Sequence, residues 1–340
     1  MEPEARDTPG ITFEKAQRLT ELSRQAHWSF PSSLGRPVRW EGLEEWVGDM
    51  VNQRDSFVKA VTFLMRNHRE DMAVEIAANI WRLWIIAKDD NDGRKFLARA
   101  LDEGSRKPTK ARALALYGDS LLAIRLGRTN ESRNRSKEAF EVARLVGDSE
   151  ALALANLALS RVAWEDEDYE GSLSLAKEAR RFAGSLPPEF GQAPLFMEAQ
   201  SSRMLGDYHK AALLFGESVE LNRRIGDKGM VSAELNNLGL MEIHRDNAEA
   251  AERLFVESER LSTSGVKDPY GRGMALLNKA MVAFRRGQLS QARPLLKRAE
   301  MTFEESGIKP AKDDKFEIDW LNQELTEKQR GIVMNEEDKS

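Results

Sequence analysis

The sequence of 340 residues contains no cysteine. Without a thiol the chain can form no disulfide, no thiolate nucleophile and no Cys-ligated zinc or iron–sulfur centre, although this absence fits any redox compartment. Only four histidines occur, at positions too far apart in the sequence for metal-ligand spacing, so no metal site is predicted. A phosphate-binding loop ending in Gly-Lys-Ser/Thr and a Gly-x-Ser-x-Gly nucleophile motif are also missing. We therefore expect no enzyme activity and no cofactor.

The chain also lacks a basic excess and long apolar runs. It has 51 Lys and Arg against 56 Asp and Glu, a net charge of -5, whereas nucleic-acid binders usually carry a basic footprint. No apolar run approaches the ~18 residues that a membrane helix needs. Residues 1–7 have none of the apolar character of a signal peptide. These features predict a cytoplasmic protein without membrane contact and without direct nucleic-acid binding.

The clearest positive feature of the sequence is a helical period of apolar residues, most regular between residues 226 and 261. Apolar side chains recur there at three- and four-residue steps, followed by a polar turn and a second amphipathic segment, which predicts a helical hairpin. Gly239 lies inside the first helix, where glycine costs about 1 kcal/mol relative to alanine. Its presence predicts that a second backbone approaches closely, with Ala251 as the counterpart.

The same unit recurs along most of the chain. The small residue of the second helix is at Gly93, Ser132, Ser172, Ala211, Ala251 and Ala292, with spacings of 39, 40, 39, 40 and 41. A turn position lies five residues earlier, at Lys88, Gly127, Glu167, Gly206, Asp246 and Gly287. This period predicts six repeats over residues 71–308. In the second repeat Arg135 and Ser136 replace large apolar residues, which predicts an exposed or weakly packed helix.

These residues resemble the tetratricopeptide-repeat (TPR) family. The resemblance is carried by Asn237-Leu238-Gly239 in a first helix, by Gly206-Asp207-Tyr208 at a turn and by the alanines of the second helices. The repeat is longer than the usual ~34 residues, and its Gly-Asp junctions are similar to those of TPR arrays attached to bacterial signal-transduction ATPases and transcriptional regulators. The resemblance implies an all-α fold, an α-solenoid of helix-turn-helix repeats wound as a right-handed superhelix.

The segments outside the repeats have separate predictions. Residues 1–10 and 331–340 are predicted to be disordered tails, and 312–330 to form a C-terminal capping helix. Residues 11–70 are predicted to form an N-terminal helical cap, with a loop near residues 28–40. Five of the seven tryptophans lie in or beside this cap, at Trp28, Trp40, Trp46, Trp81 and Trp84. They indicate either a bulky cap core or a docking face for a partner.

In TPR proteins the first helices line a concave groove, and this family property selects the candidate partner-binding residues. The predicted groove residues are Tyr117, Arg161, Trp164, Gln200, Arg203, Asn236, Leu240 and Ile243. We expect an amphipathic or extended peptide there, with Arg161 and Arg203 pairing an acidic group and Trp164 giving apolar contact. Whether the occupant is a peptide, a folded protein or the chain's own terminal helix stays open, as does the oligomeric state.

Two charged clusters have competing interpretations. The basic residues Arg125, Arg128, Arg133, Arg135 and Lys137 indicate a solvated hinge and helix face, or a surface for an anionic partner. The acidic run 165–168 indicates a helix-capping turn or a divalent-ion site. The leading prediction is a non-enzymatic protein-interaction scaffold or a regulatory, peptide-sensing protein. The alternative is a transcription-associated regulator that contacts nucleic acid through the basic patch or through a partner's DNA-binding domain.

Overall fold

The structure of the chain, a computed structural model, describes residues 8–29, 43–262, 269–307 and 309–337. Over those residues the regular elements are helices, apart from an isolated bridge between Thr8 and Ile11. The chain divides into two compact units, residues 1–201 (unit 1) and 202–340 (unit 2). Each unit is described by itself.

Unit 1 begins with three helices and continues as successive helical pairs. Its helices are α1 (Phe13–Ser29), α2 (Leu43–Asn52), α3 (Arg54–Arg66), α4 (Glu70–Ile80), α5 (Arg82–Ile86), α6 (Asp90–Asp102), α7 (Lys110–Arg125), α8 (Thr129–Val146), α9 (Ser149–Glu165) and α10 (Tyr169–Ala183). A 3-10 turn at Pro188–Gly191 precedes α11 (Gln192–Met204), which ends in unit 2. Residues 1–7 of the predicted N-terminal tail lie outside the described residues, as do residues 30–42, which include most of the predicted loop.

Unit 2 continues the helical pairs. Its helices are α12 (Tyr208–Ile225), α13 (Lys228–His244), α14 (Ala248–Leu261), α15 (Pro269–Arg285), α16 (Leu289–Ser306) and α17 (Lys312–Glu337). Helix α17 continues past residue 330, where the predicted capping helix ends, into the predicted tail 331–340 as far as Glu337. Gly331 costs only about 1 kcal/mol inside a helix, which is too little to end one. The rest of that tail, 338–340, lies outside the described residues.

The six predicted turn positions share one backbone conformation. All have positive φ: Lys88 59°, Gly127 70°, Glu167 65°, Gly206 77°, Asp246 59° and Gly287 73°. The next amide donates back across the turn, as from Asn247 N to Glu242 O at 2.9 Å, which closes the helix in a Schellman-type motif. His68, with φ 56°, makes the same turn between α3 and α4, so this geometry begins earlier than the alignment indicated.

The second repeat is not weakly packed, because a polar network replaces the apolar contacts. Ser136 is fully buried, and its Oγ lies 2.7 Å from Ser120 Oγ. Arg135 bridges Asp102 and the fully buried Asp119, with Nε 2.7 Å from Asp119 Oδ2. The prediction that this helix is exposed or weakly packed is therefore wrong. Polar residues can fill a core position when their hydrogen bonds are satisfied.

Gly239 is closely approached by an aromatic ring. A Cβ added there would lie 2.5 Å from Phe255 Cε1, a distance that real Cβ atoms do not show. The expected close approach is present, and the three atoms nearest to the added Cβ belong to the ring of Phe255 on α14. Helix α13 thus needs glycine so that the ring can approach it.

Candidate partner-binding surface

The predicted groove residues fall in both units. Tyr117 on α7, Arg161 and Trp164 on α9, and Gln200 on α11 belong to unit 1. Arg203 at the end of α11, and Asn236, Leu240 and Ile243 on α13, belong to unit 2. Each group is described within its own unit.

In unit 1 the structure brings Arg161 and Tyr117 together. Arg161 is 9% exposed, and its Nη1 donates to Tyr117 Oη at 3.0 Å. Among the described residues, its buried Nη2 has no hydrogen-bond partner and Arg161 has no ion pair. Buried charges are normally paired because an isolated charge is costly to remove from water. Arg161 is therefore a guanidinium whose counter-charge is missing.

A second buried arginine, absent from the sequence prediction, lies near the same phenol. Arg82 is 1% exposed and lies 4.5 Å above the ring of Trp81. Burial lowers its pKa to about 10, against the opposing influence of Tyr117 and Glu150. Trp81 meets Tyr117 edge to face at 5.7 Å. Positive charge and aromatic surface thus converge around Tyr117, while Gln200 is 4% exposed and Trp164 half-buried.

In unit 2 the acidic group predicted for Arg203 comes from the chain itself. Arg203 is fully buried, and its Nη2 donates to Oε1 of the fully buried Glu317 on α17 at 2.7 Å. It also contacts Asp313, by Nη1 to Oδ2 at 3.3 Å and by Nη2 to the carbonyl at 2.9 Å. His244 Nε2 lies 2.8 Å from Glu317 Oε2. Burial raises the pKa of Glu317, but Arg203 and His244 outweigh it and hold the pKa below the usual value.

Aromatic side chains surround this charge network. The His244 ring stacks on Tyr208 at 4.1 Å and lies 4.5 Å from Trp320 of α17. Phe284 meets Trp320 edge to face at 5.9 Å, and the Arg285 guanidinium lies 5.1 Å from the Trp320 ring. The sequence prediction did not include His244 or the docking residues of α17. In the sequence, the signal for the docking residues of α17 was the spacing of Asp313, Glu317 and Trp320, which places them on one side of an amphipathic helix.

The remaining predicted groove residues of unit 2 contribute to packing. Leu240 and Ile243 are fully buried, so they offer no surface to a partner in this structure. Asn236 is half-buried, and its Oδ1 accepts a hydrogen bond from Asn278 Nδ2 at 2.6 Å. Leu240 and Ile243 thus lie too deep between the helices to contact a partner in the predicted groove.

The basic patch is largely neutralised by neighbouring residues of unit 1. Arg125 lies 2.9 Å from Asp90, and Arg133 lies 2.6 Å from Asp166. Arg135 is held by Asp102 and Asp119, as described above. Arg128 donates to Asn91 Oδ1 at 3.1 Å, and Lys137 is exposed. An anionic partner would have to displace carboxylates from most of this patch.

The acidic run 165–168 acts as a helix cap. Asp168 Oδ1 accepts from Gly171 N at 2.9 Å at the start of α10, and Asp166 pairs with Arg133. No group of His, Asp and Glu in the described part of the chain could hold a metal ion. Among the described helices, none has the length and apolar character needed to cross a membrane.

Structural comparison defines the fold. A signal-transduction ATPase of the STAND type with a TPR sensor, from Pyrococcus horikoshii, superposes with a TM-score of 0.55 at 13% identity, covering 88% of this chain and 53% of that protein. The chain has the tetratricopeptide-repeat fold. The Cut9 complex with Hcn1 gives a TM-score of 0.54 at 11% identity, covering 92% of this chain and 57% of the other.

A further structure has the same fold over a similar length. A Rap protein complexed with competence and sporulation factor gives a TM-score of 0.52 at 15% identity, covering 77% of each chain. No family model and no curated protein matches the sequence itself. The TPR resemblance and the all-α repeat fold expected from the sequence are confirmed by these structures.

Proposed function

We propose that this protein of TPR fold is a non-enzymatic interaction scaffold, regulatory or peptide-sensing, that binds an acidic segment of a partner protein at α7 and α9 of unit 1. The observation that carries the proposal is Arg161, a guanidinium 9% exposed that lacks a carboxylate among the described residues. A peptide carboxylate would supply the missing charge through a charge-assisted hydrogen bond to Nη2.

The surroundings of Arg161 support a peptide as the occupant. Trp164 lies one turn further along α9 and is half-buried, so its ring provides partly accessible aromatic surface beside the charge. Aromatic and arginine side chains are the commonest anchors in protein interfaces. A structure of the same fold, the Rap protein, was determined in complex with competence and sporulation factor. This likeness supports the choice of a peptide as the partner.

Photo-crosslinking tests the proposal directly. The photoreactive residue p-benzoylphenylalanine replaces Trp164 in one full-length protein and Leu145, which is 68% exposed on α8, in a matched control. After irradiation in the cells that produce the protein, we expect a discrete crosslinked partner from position 164 and none from position 145. Mass spectrometry then identifies the crosslinked peptide, which should carry acidic residues.

An arginine substitution links the crosslink to the missing charge. Arg161→Gln should abolish the crosslink from position 164, whereas Arg144→Gln, at an exposed ion pair with Glu141 on α8, should leave it unchanged. An undiminished crosslink in the Arg161→Gln protein would show that the partner does not depend on Arg161.

A further inference from the structure

The side chains that hold α17 in unit 2 are charged and aromatic, the types that proteins use to recognise a partner helix. Arg203, His244 and Arg285 come from the last turns of α11, α13 and α15, and all three contact α17. The contacted residues of α17 are the carboxylates Asp313 and Glu317 and the ring of Trp320. A basic and aromatic receptor therefore faces an acidic and aromatic helix.

A helix that only closed the end of the array would not need this arrangement. Ile318, Leu321 and Leu325 of α17 are buried and give apolar closure by themselves. Glu317 and Arg203, in contrast, are both fully buried. Buried ion pairs add little stability because desolvation offsets their attraction, and their best attested role is to select one partner and one register. The charge network thus indicates selection of a particular helix.

The backbone of α17 runs closest to α15 and α16. Its contacts with α11 and α13 are made by the long side chains of Arg203 and His244. A different helix with carboxylates and an aromatic ring at the same spacing could make these contacts without any change in the backbone of the receptor. The spacing is set by Asp313, Glu317 four residues later and Trp320 three residues after that.

We propose that unit 2 is a receptor for an amphipathic helix of a partner protein, and that α17 occupies this receptor in the free chain. The partner helix carries two carboxylates four residues apart and an aromatic residue three positions after the second carboxylate. The inference rests on the proposed scaffold function and assigns it a second binding surface with a defined ligand chemistry. A tethered occupant competes at an effective concentration in the millimolar range, so an external helix binds well only after α17 is weakened.

The test uses the full chain and a fluorescent peptide of residues 311–330. One protein carries Glu317→Gln with Trp320→Ala, which removes two anchors of α17 and leaves the receptor intact. The matched control carries Asp319→Asn, on the exposed side of α17. Hydrogen exchange of α17 reports its release, and fluorescence anisotropy reports binding of the peptide.

We expect α17 to lose protection in the double variant, and the peptide to bind that protein at least about tenfold more tightly than it binds the wild type or the Asp319→Asn protein. A peptide carrying Glu317→Gln and Trp320→Ala should not bind. If the double variant does not fold, the Trp320→Leu protein keeps both carboxylates and apolar burial, and the same order of affinities is expected from it.

Three results would overturn the proposal. The first is a released α17 without peptide binding, and the second is equal binding of the native and the altered peptide. The third is a light-scattering mass of two chains for the wild-type protein that falls to one chain for the double variant, which would assign the receptor to α17 of a second copy. A failed peptide titration would leave the crosslink at position 164 unaffected, so the two proposals can fail independently.

Discussion

Replacing Gly239 by alanine should destabilise the protein, although the same change normally stabilises a helix. In an open helical position Gly→Ala gains about 1 kcal/mol. At Gly239 the new methyl group would lie 2.5 Å from Phe255 Cε1 and 2.7 Å from Cδ1, so the ring must move. Overpacking of this kind costs about 1–3 kcal/mol. The clash therefore cancels or exceeds the gain in helix propensity.

Gly216 on α12 provides the matched control, because a Cβ there meets nothing within 4 Å. Gly216→Ala should raise the free energy of unfolding by about 1 kcal/mol. The two alanine variants should thus differ by about 1–3 kcal/mol, measured as a shift in the urea midpoint at unchanged slope. Thermal unfolding followed by circular dichroism should give the same order.

A second substitution isolates the ring as the cause. In a Phe255→Ala background all three ring atoms nearest to the new methyl group are gone, so Gly239→Ala should become neutral or stabilising. The interaction energy of the double-mutant cycle measures the clash itself. Equal stabilisation by Gly239→Ala and Gly216→Ala in the wild-type background would refute this account of the close approach.

Three other predictions follow from buried or paired charges. Burial raises the pKa of Glu234 to about 7. The contribution of this group to native stability should therefore be fully present below pH 4.5 and be lost as pH rises through 7. Glu234→Gln should remove that part of the pH dependence of unfolding. Asp119→Asn should cost about 3–5 kcal/mol in urea unfolding because it leaves Arg94 and Arg135 without their buried carboxylate, whereas Asp92→Asn, at an exposed pair, should cost less than about 1 kcal/mol. Duplex DNA should show no detectable binding at low salt by anisotropy, since the patch arginines are paired within unit 1; salt-sensitive binding would contradict this interpretation of the patch.

Local features of the fold were predictable from the sequence because their causes are local. Positive φ at Gly127 and Asp246 depends on residues within one turn, and the 39- to 41-residue period places those turns. The need for a small residue at Gly239 was visible in the same way. The identity of its neighbour was not, because hydrophobic period indicates which face is buried and not which side chain lies on it.

Long-range polar contacts escaped prediction for a physical reason. Arg203 meets Glu317 across 114 residues of sequence, and no local pattern encodes that pairing. Arg135 looked out of place because the pattern measures hydrophobicity, while its compensation lies in the buried Asp119. The predicted groove therefore included Arg203 but not the carboxylate that meets it.

The closed ends of the hairpins determine how such a chain can change during evolution. Gly147 and Gly226 end α8 and α12 with positive φ, and Asp148 and Asp227 at once cap the helices that follow. A repeat inserted at the Gly147 joint, upstream of Arg203, would leave no helix end uncapped, so the gain of a repeat there should be tolerated. The stretch from Arg203 to Trp320 is different, because α17 contacts side chains of α11, α13 and α15 at fixed separations. Repeat number should therefore vary upstream of Arg203 and stay constant beyond it.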